Sequence, residues 1–255
     1  MVIHTIEQNY VFIKLLYNVS VSTTLKTTTK VEDAANFIAS SILSQLKLGK
    51  QVLFFVTGGS SIAVGAKVAE LLRDNLEQNL TKNLTIMMTD ERYGPLDHKD
   101  SNWYQLIEKG FSLPQARLLP ILDGSDRVST TEKFNKNLYQ ELMENKDNKY
   151  KIGLFGIGAD GHTAGILPKS EVVSDTVESK DLAYGYNTPT FSRITITPKA
   201  IEGLDEAVVW VQGEEKWSVV KDLLEKDINI TKQPAQILKR VPLLTIFTDY
   251  KQTNG

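Results

Sequence analysis

Cysteine is absent from this chain, so disulfides, thiolate catalysis and Cys-ligated zinc or iron–sulfur centres are excluded. That absence fits a cytoplasmic protein. A surplus of charge of one sign is also lacking, because the formal net charge is −2 over 255 residues. No global basic field draws in nucleic acid or an anionic membrane, and a phosphorylated ligand needs a local basic site. No apolar run approaches the ~18–20 residues of a membrane span. The first residues include His4 and Glu7, with no basic segment leading into an apolar core, so no signal peptide is expected. Internal repeats, low-complexity tracts and long charge runs are missing too, which makes a single domain over residues 1–255 the simplest organisation. Histidine is scarce: His4, His98 and His162 are the three in the chain.

What is present is a regular alternation of apolar strands and amphipathic helices. Hydrophobic residues make up 41% of the chain, enough for a sizeable core. Residues 1–30 are rich in Thr, Val and Tyr, and their two apolar stretches predict one or two leading strands. Thr29 and Glu32 have capping-box spacing, followed by a stripe of Val31, Ala35, Ile38, Ile42 and Leu46 at helical period. Further strands are expected over 51–57, 84–89, 117–121, 150–156, 193–197, 207–212 and 243–248. Helices are expected over 61–79, 102–109, 130–145 and 214–226, and the Gly185-to-Pro189 stretch as a loop. Strands apolar throughout and separated by helices predict an α/β fold, a mostly parallel twisted sheet with helices on both faces.

The most distinctive stretch is Gly156-Ile-Gly-Ala-Asp-Gly-His-Thr-Ala-Gly-Ile-Leu-Pro168. It follows a strand and sets Asp160 two residues before His162 on a glycine-rich turn, where open α/β sheets place their chemistry. That pairing suits a general base oriented by a carboxylate. The glycine spacing also matches a dinucleotide fingerprint, with Glu178 at the distance of a ribose contact. Asp160 inside a pyrophosphate loop, and His162 and Pro168 in place of a long helix, argue against it.

A second glycine turn, Thr57-Gly58-Gly59-Ser60-Ser61, joins a strand to a helix. It reads either as a backbone phosphate cradle or as a tight turn with Ser N-caps. It is not a Walker A motif. Asp90-Glu-Arg92 follows the strand over 84–89, where two carboxylates and an Arg could contact a polyol or form a solvated turn, and Asp100-Ser-Asn102 is placed to cap the next helix. His98, among polar residues, reads as a surface histidine. Arg193 and Lys216 are, singly, ordinary surface cations, although a Lys at a helix start invites an anionic partner.

Taken in order, these motifs together with Arg193-x-Thr, Gly213-x-x-Lys216 and Pro234-Ala-Gln-Ile-Leu238 resemble the 6-phosphogluconolactonase family, related to glucosamine-6-phosphate deaminase. The likeness runs from about Val31 to Asp249, leaving residues 1–30 as an extension outside it. It implies a glucosamine-6-phosphate isomerase-like fold and hydrolysis of 6-phosphoglucono-δ-lactone, a small phosphorylated sugar lactone, with no cofactor, no metal and no nucleic-acid or membrane partner. A monomer or small homo-oligomer is expected.

By that resemblance His162 is the general base. Gly58, Gly59, Ser60, Ser61, Arg193 and Lys216 hold the 6-phosphate, and Asp90, Arg92 and Asp160 line the ring end. Arg92 then serves either as the oxyanion-side cation or as half of a structural Asp–Arg pair. Two alternatives share the fold. Deaminases of this group place a glutamate five positions after the loop histidine, where this chain has Leu167, and Asp-Glu-Tyr where it has Asp90-Glu-Arg92. A non-catalytic sugar-phosphate sensor needs a DNA-binding segment, for which residues 1–30 are short and strand-like.

Overall fold

A computed structural model of the chain describes residues 21–75, 78–144, 148–175 and 179–251. Seven strands form one parallel sheet: β1 (Ser22–Thr27), β2 (Gln51–Val56), β3 (Leu84–Met88), β5 (Arg117–Leu119), β6 (Lys149–Gly156), β9 (Glu206–Val211) and β10 (Leu243–Thr248). Their spatial order is β1-β10-β9-β6-β2-β3-β5. A second, antiparallel sheet of three short strands has the order β4-β8-β7, from β4 (Asp90–Arg92), β8 (Ser192–Ile196) and β7 (Ala183–Asn187).

The central strands are buried at successive positions: Val52 to Val56 in β2 and all six residues of β9. Successive side chains point to opposite faces, so unbroken burial means that both faces are covered. The covering elements include α1 (Val31–Lys47), α2 (Ile62–Asn75), α3 (Gln78–Thr81), α4 (Asn102–Glu108), α5 (Arg127–Met143), α6 (Glu171–Asp175), α7 (Pro198–Glu202) and α8 (Trp217–Glu225). In α1 the buried stripe is Ala34, Ala35, Ile38, Ala39, Ile42 and Leu46, spaced three and four apart as an amphipathic helix requires.

Several expectations shift in detail. Strand 117–121 stops at Leu119, because Pro120 has no N–H for the ladder. The helix over 130–145 begins earlier, at Arg127, capped by Asp126 accepting from the N–H groups of Val128 and Ser129. The capping box at Thr29 does not form. Lys30 is the N-cap without a side-chain bond, and Thr28 instead donates to Asp33 at 2.5 Å. The loop expected at Gly185 is part of β7, and Arg193 lies in the small sheet, not the large one. Of the leading strands, β1 pairs along β10 at the edge of the main sheet, so residues 22–27 are integral to the fold. The earlier stretch from Tyr10 lies outside the described residues.

Topology fixes where chemistry can sit. From β2 the chain adds β3 and β5 on one side, then returns to place β6, β9 and β10 on the other. The order therefore reverses at β2, and the crevice beyond the carboxyl ends of β2 and β6 is the switch point at which open α/β sheets bind ligands. The opposite edge is built for cohesion. There Glu141 of α5, 5% exposed, pairs with Arg117 at 2.5 Å and with the half-buried Lys149 at 2.8 Å, clasping the starts of β5 and β6.

Arg117 is half exposed, but removing Glu141 strands the largely buried Lys149 ammonium. Glu141→Ala should lower the unfolding free energy by about 3–5 kcal/mol, read from the urea midpoint. Lys149→Met in the same chain should recover part of it. A loss below about 1 kcal/mol, the range of exposed pairs, would reject the clasp.

Candidate active site

The turn after β2 begins at Gly58. A Cβ there would lie 2.0 Å from Asn102 Oδ1, so only glycine lets the Asn102 amide pack on this backbone. Gly59 has φ +66°, a left-handed conformation that again favours glycine. Residues Gly59–Ser61 form one 3₁₀ turn whose N-cap is Gly58 and not a serine. Ser60 is exposed, whereas Ser61 is fully buried and its hydroxyl donates to the Trp210 carbonyl at 3.5 Å. Of the two serines expected to face a phosphate, Ser60 presents its side chain to solvent and Ser61 ties the turn to β9.

The small sheet sorts the charged motif by face. Asp90 lies opposite Thr195, and Thr195 opposite Tyr184; Arg92 lies opposite Arg193, and Arg193 opposite Tyr186. Directly opposed residues share a face, as do residues two apart, so these six side chains form two rows on one surface. Glu91, between Asp90 and Arg92, must point the other way. It is fully buried and accepts the N–H groups of Arg92 (2.7 Å), Asn102 (2.6 Å) and Trp103 (3.0 Å) and the Ser101 hydroxyl (2.9 Å). Burial pushes the Glu91 carboxyl up, outweighing these bonds. Glu91 thus holds the start of α4 together with Ser101, which caps it, and only one of the two motif carboxylates faces the Arg92–Arg193 side.

That carboxylate, Asp90, is itself nearly buried. It accepts from Thr89 Oγ1 at 2.9 Å and Asn102 Nδ2 at 3.4 Å, and pairs with Arg193 at 3.4 Å. Arg92 donates to the Asp100 carbonyl at 3.0 Å, and His98 Nε2 meets the Arg92 carbonyl at 2.9 Å, so His98 is a loop clasp and not merely a surface residue. Both guanidinium carbons lie over the Phe191 ring, at 5.2 Å for Arg92 and 5.6 Å for Arg193. The Nε atoms of both arginines are buried without a hydrogen-bond partner. Arg92 and Arg193, expected at the ring end and the phosphate end of a ligand, stand side by side in the ladder.

The loop after β6 docks on the same face. Thr195 Oγ1 donates to the Ala164 carbonyl, and the Tyr186 hydroxyl donates to the Gly165 carbonyl at 2.6 Å. Gly165, at φ +69°, abuts Asp90 so closely that a Cβ would sit 2.8 Å from its side chain. Held this way, the loop brings His162 Nδ1 within 2.6 Å of Asp160 Oδ1, while the His162 N–H donates to the same oxygen at 3.1 Å. A Cβ on Gly158 would lie 2.2 Å from the imidazole, so that glycine makes room for the ring. A carboxylate can only accept, so Nδ1 carries the proton and the neutral ring's Nε2 keeps its lone pair. Burial pushes the Asp160 carboxyl up, but the His162 N–H, charge and ring bond outweigh it and hold the carboxyl below its ordinary value.

Lys216 lies beyond β9, in a 3₁₀ turn leading into α8, and donates to the Gln212 carbonyl at 3.0 Å. Glu215 is its nearest carboxylate at 3.7 Å. Asp249 fixes this turn by accepting from Gly213 N–H and Trp217 Nε1. Adjacent carboxyl ends of β9, β6, β2 and β3 therefore carry Lys216, His162, Gly58 and Asp90 along one edge. Asn102, Tyr186, Phe191 and Asp249 join this assembly unforeseen. Asn102 and Asp249 had a signal, lying in or at the end of the matched motifs, whereas Phe191 had none. Clefts of about 300 and 440 Å³ lie elsewhere, by Glu141 and by Arg127, without His162 or these arginines. Among the described residues no three His, Cys, Asp or Glu side chains are grouped to hold a metal, and no helix is long and apolar enough to cross a membrane.

Residues 26–245 match the family described as glucosamine-6-phosphate isomerases/6-phosphogluconolactonase. A 6-phosphogluconolactonase of Borreliella burgdorferi is 27% identical over 206 residues, covering 75% of this chain and 83% of the relative. The fold matches that of 6-phosphogluconolactonase from Trypanosoma brucei with a TM-score of 0.72 at 21% identity, over 90% of this chain and 97% of the other. For the Thermotoga maritima protein the TM-score is 0.68 at 19% identity, over 89% and 99%.

Because the His162 ring lowers the Asp160 pKa, His162→Ala should raise it, as followed by NMR of the Asp160 carboxyl carbon. A depressed carboxylate stabilises the fold above the ordinary Asp value of ~3.9 and loses that contribution as pH falls through the folded value. The variant should therefore lose less stability on acidification through this window. An unaltered Asp160 titration would refute the pairing.

Proposed function

Because the chain belongs to the 6-phosphogluconolactonase family, within the glucosamine-6-phosphate isomerase/6-phosphogluconolactonase group, we propose that it hydrolyses 6-phosphoglucono-δ-lactone to 6-phosphogluconate. The observation that carries this reading is the 2.6 Å Asp160–His162 pair, set on the loop beyond β6 at the switch point of the sheet. The whole chain is taken as one domain.

In this mechanism His162 Nε2 removes a proton from water as its oxygen attacks C1 of the lactone. The carbonyl π pair moves onto oxygen, giving a tetrahedral oxyanion. Collapse of that intermediate breaks the C1–ring oxygen bond, and the imidazolium returns its proton to the departing ring oxygen. Asp160 keeps the imidazole in the Nδ1–H tautomer and stabilises the cation formed in between. A lactone is already an activated ester, so no covalent nucleophile is needed.

Phosphate anchoring orients the carbonyl and applies remote binding energy to the reacting centre. The backbone of Gly58 and Gly59, the Ser60 hydroxyl, Lys216 and Arg193 are assigned to the 6-phosphate. Arg92 joins them, since it shares the Phe191 ring with Arg193. Asp90 acts as the counter-ion that orients Arg193, and Ser61 acts by holding the turn. Leu167 stands where an isomerase-type reaction would need its carboxylate.

With the spontaneous rate subtracted, His162→Ala should lower kcat by about 10²-fold or more, the range of a general base. Full activity in that variant would sink the base assignment, and no acceleration by the unaltered protein would sink the enzyme reading. Lys216→Ala should raise KM for the phosphorylated lactone by about tenfold with little change in kcat, since it removes uniform binding. An unchanged KM would remove Lys216 from the phosphate site.

A further inference from the structure

We propose that Phe191 is a positioning residue that aligns Arg92 and Arg193 into a single two-pronged clamp for the phosphate monoester of the substrate. The proposal rests on the phosphate placement above. Arg92 and Arg193 are directly opposed across the β4–β8 ladder, an arrangement in which like charges repel. The charge around them does not balance. Asp90 pairs with Arg193, Glu91 points to the other face, and the hydrogen bond that the Arg92 guanidinium makes among the described residues goes to a neutral carbonyl, that of Asp100.

The two cations are nevertheless held together, and the Phe191 ring is what both touch, at 5.2 and 5.6 Å. An aromatic face attracts a guanidinium and restricts its rotamers, so stacking fixes both groups before a ligand arrives. The ring has a rigid mount. Phe191 N–H donates to Thr188 Oγ1 at 3.0 Å, and its carbonyl accepts from Thr188 N–H and Oγ1, both at 2.8 Å, closing the turn between β7 and β8.

The buried Nε atoms of both arginines point to the same conclusion. A buried donor without a partner is costly, and one on each of two neighbouring guanidinium groups leaves both cations short of acceptors, a deficit that an oxygen-rich anion on their outer N–H groups would offset. A phosphate monoester offers three oxygens and up to two negative charges, enough to accept from both forks. Neutral lactones gain nothing from such a clamp, so Phe191 affects discrimination between phosphorylated and unphosphorylated substrates.

The test compares Phe191→Leu with Phe191→Tyr and Phe191→Trp, using 6-phosphogluconolactone, unphosphorylated gluconolactone and inorganic phosphate as a competitive inhibitor. Leucine keeps apolar bulk without a π face. Phe191→Leu should lower the selectivity for the phosphorylated lactone, as the ratio of the two kcat/KM values, by about tenfold. It should weaken inhibition by phosphate by a similar factor, and the aromatic variants should restore both. Equal losses on both lactones, wild-type selectivity in Phe191→Leu, or failure of Trp and Tyr to rescue would overturn the proposal. Arg92→Ala and Arg193→Ala separate this from the underlying reading. If neither alters selectivity, the phosphate lies elsewhere and the clamp fails with it. If both do while Phe191→Leu does not, only the role of Phe191 is rejected.

Discussion

The docking of the loop after β6 onto one face of the small antiparallel sheet is the contact on which the rest of the site depends. Three points of attachment define it: Thr195 to the Ala164 carbonyl, Tyr186 to the Gly165 carbonyl, and Gly165 against Asp90. Ala164 and Gly165 both hold positive φ, a backbone course that needs such support where a side chain is present. His162 is two residues before Ala164 and Arg193 two residues before Thr195. The attachments that shape the loop thereby tie the segment bearing the imidazole to the strand bearing Arg193. Segments that belong to different sheets, one with His162 and one with Arg193, are registered to one another by a few hydrogen bonds.

Buried polar groups in this region act mainly as positioning elements. Glu91 uses its acceptors on the start of α4, and Asp90 on Thr89, Asn102 and Arg193. Asn102 bridges the Asp90 strand to the Gly58 turn, whose lack of a side chain allows the contact. Such networks rigidify the groups that they hold to the extent that they are satisfied, and here Asn102 Oδ1 and the Nε atoms of Arg92 and Arg193 are left without a partner. Charge is handled differently at the far edge of the main sheet. There Glu141 answers both Arg117 and Lys149, and the cluster binds elements together. Cohesion is concentrated at one end of the strands and reactive geometry at the other.

The main sheet was largely legible because its strands are continuous apolar runs, and burial on both faces is what such runs encode. The glycine turn at Gly58, the Asp160–His162 pair and the cap at Ser101 were legible for a related reason: each is a local arrangement within a few residues. The small sheet was not. Asp90-Glu91-Arg92 has no hydrophobic pattern to mark it as a strand, and Gly185 disguised β7 as a loop. Both become strands only because β8 lies between them. The same lack of local signal hid the inward turn of Glu91 and Ser61, and Phe191 carried no signal at all.

The amino-acid sequence by itself determined the fold class, the family and the residue types available for chemistry, since periodicity, glycine placement and ordered motifs are properties of short segments. Only the tertiary structure decided which of those residues face one another. Pairing across strands far apart in the chain selects the side of the pleat, placing Arg92 beside Arg193 and turning Glu91 away. The loop with His162 acquires its course from β7 and β8 residues about twenty to thirty positions downstream. Register between distant segments depends on how whole sheets pack, and no local pattern specifies it.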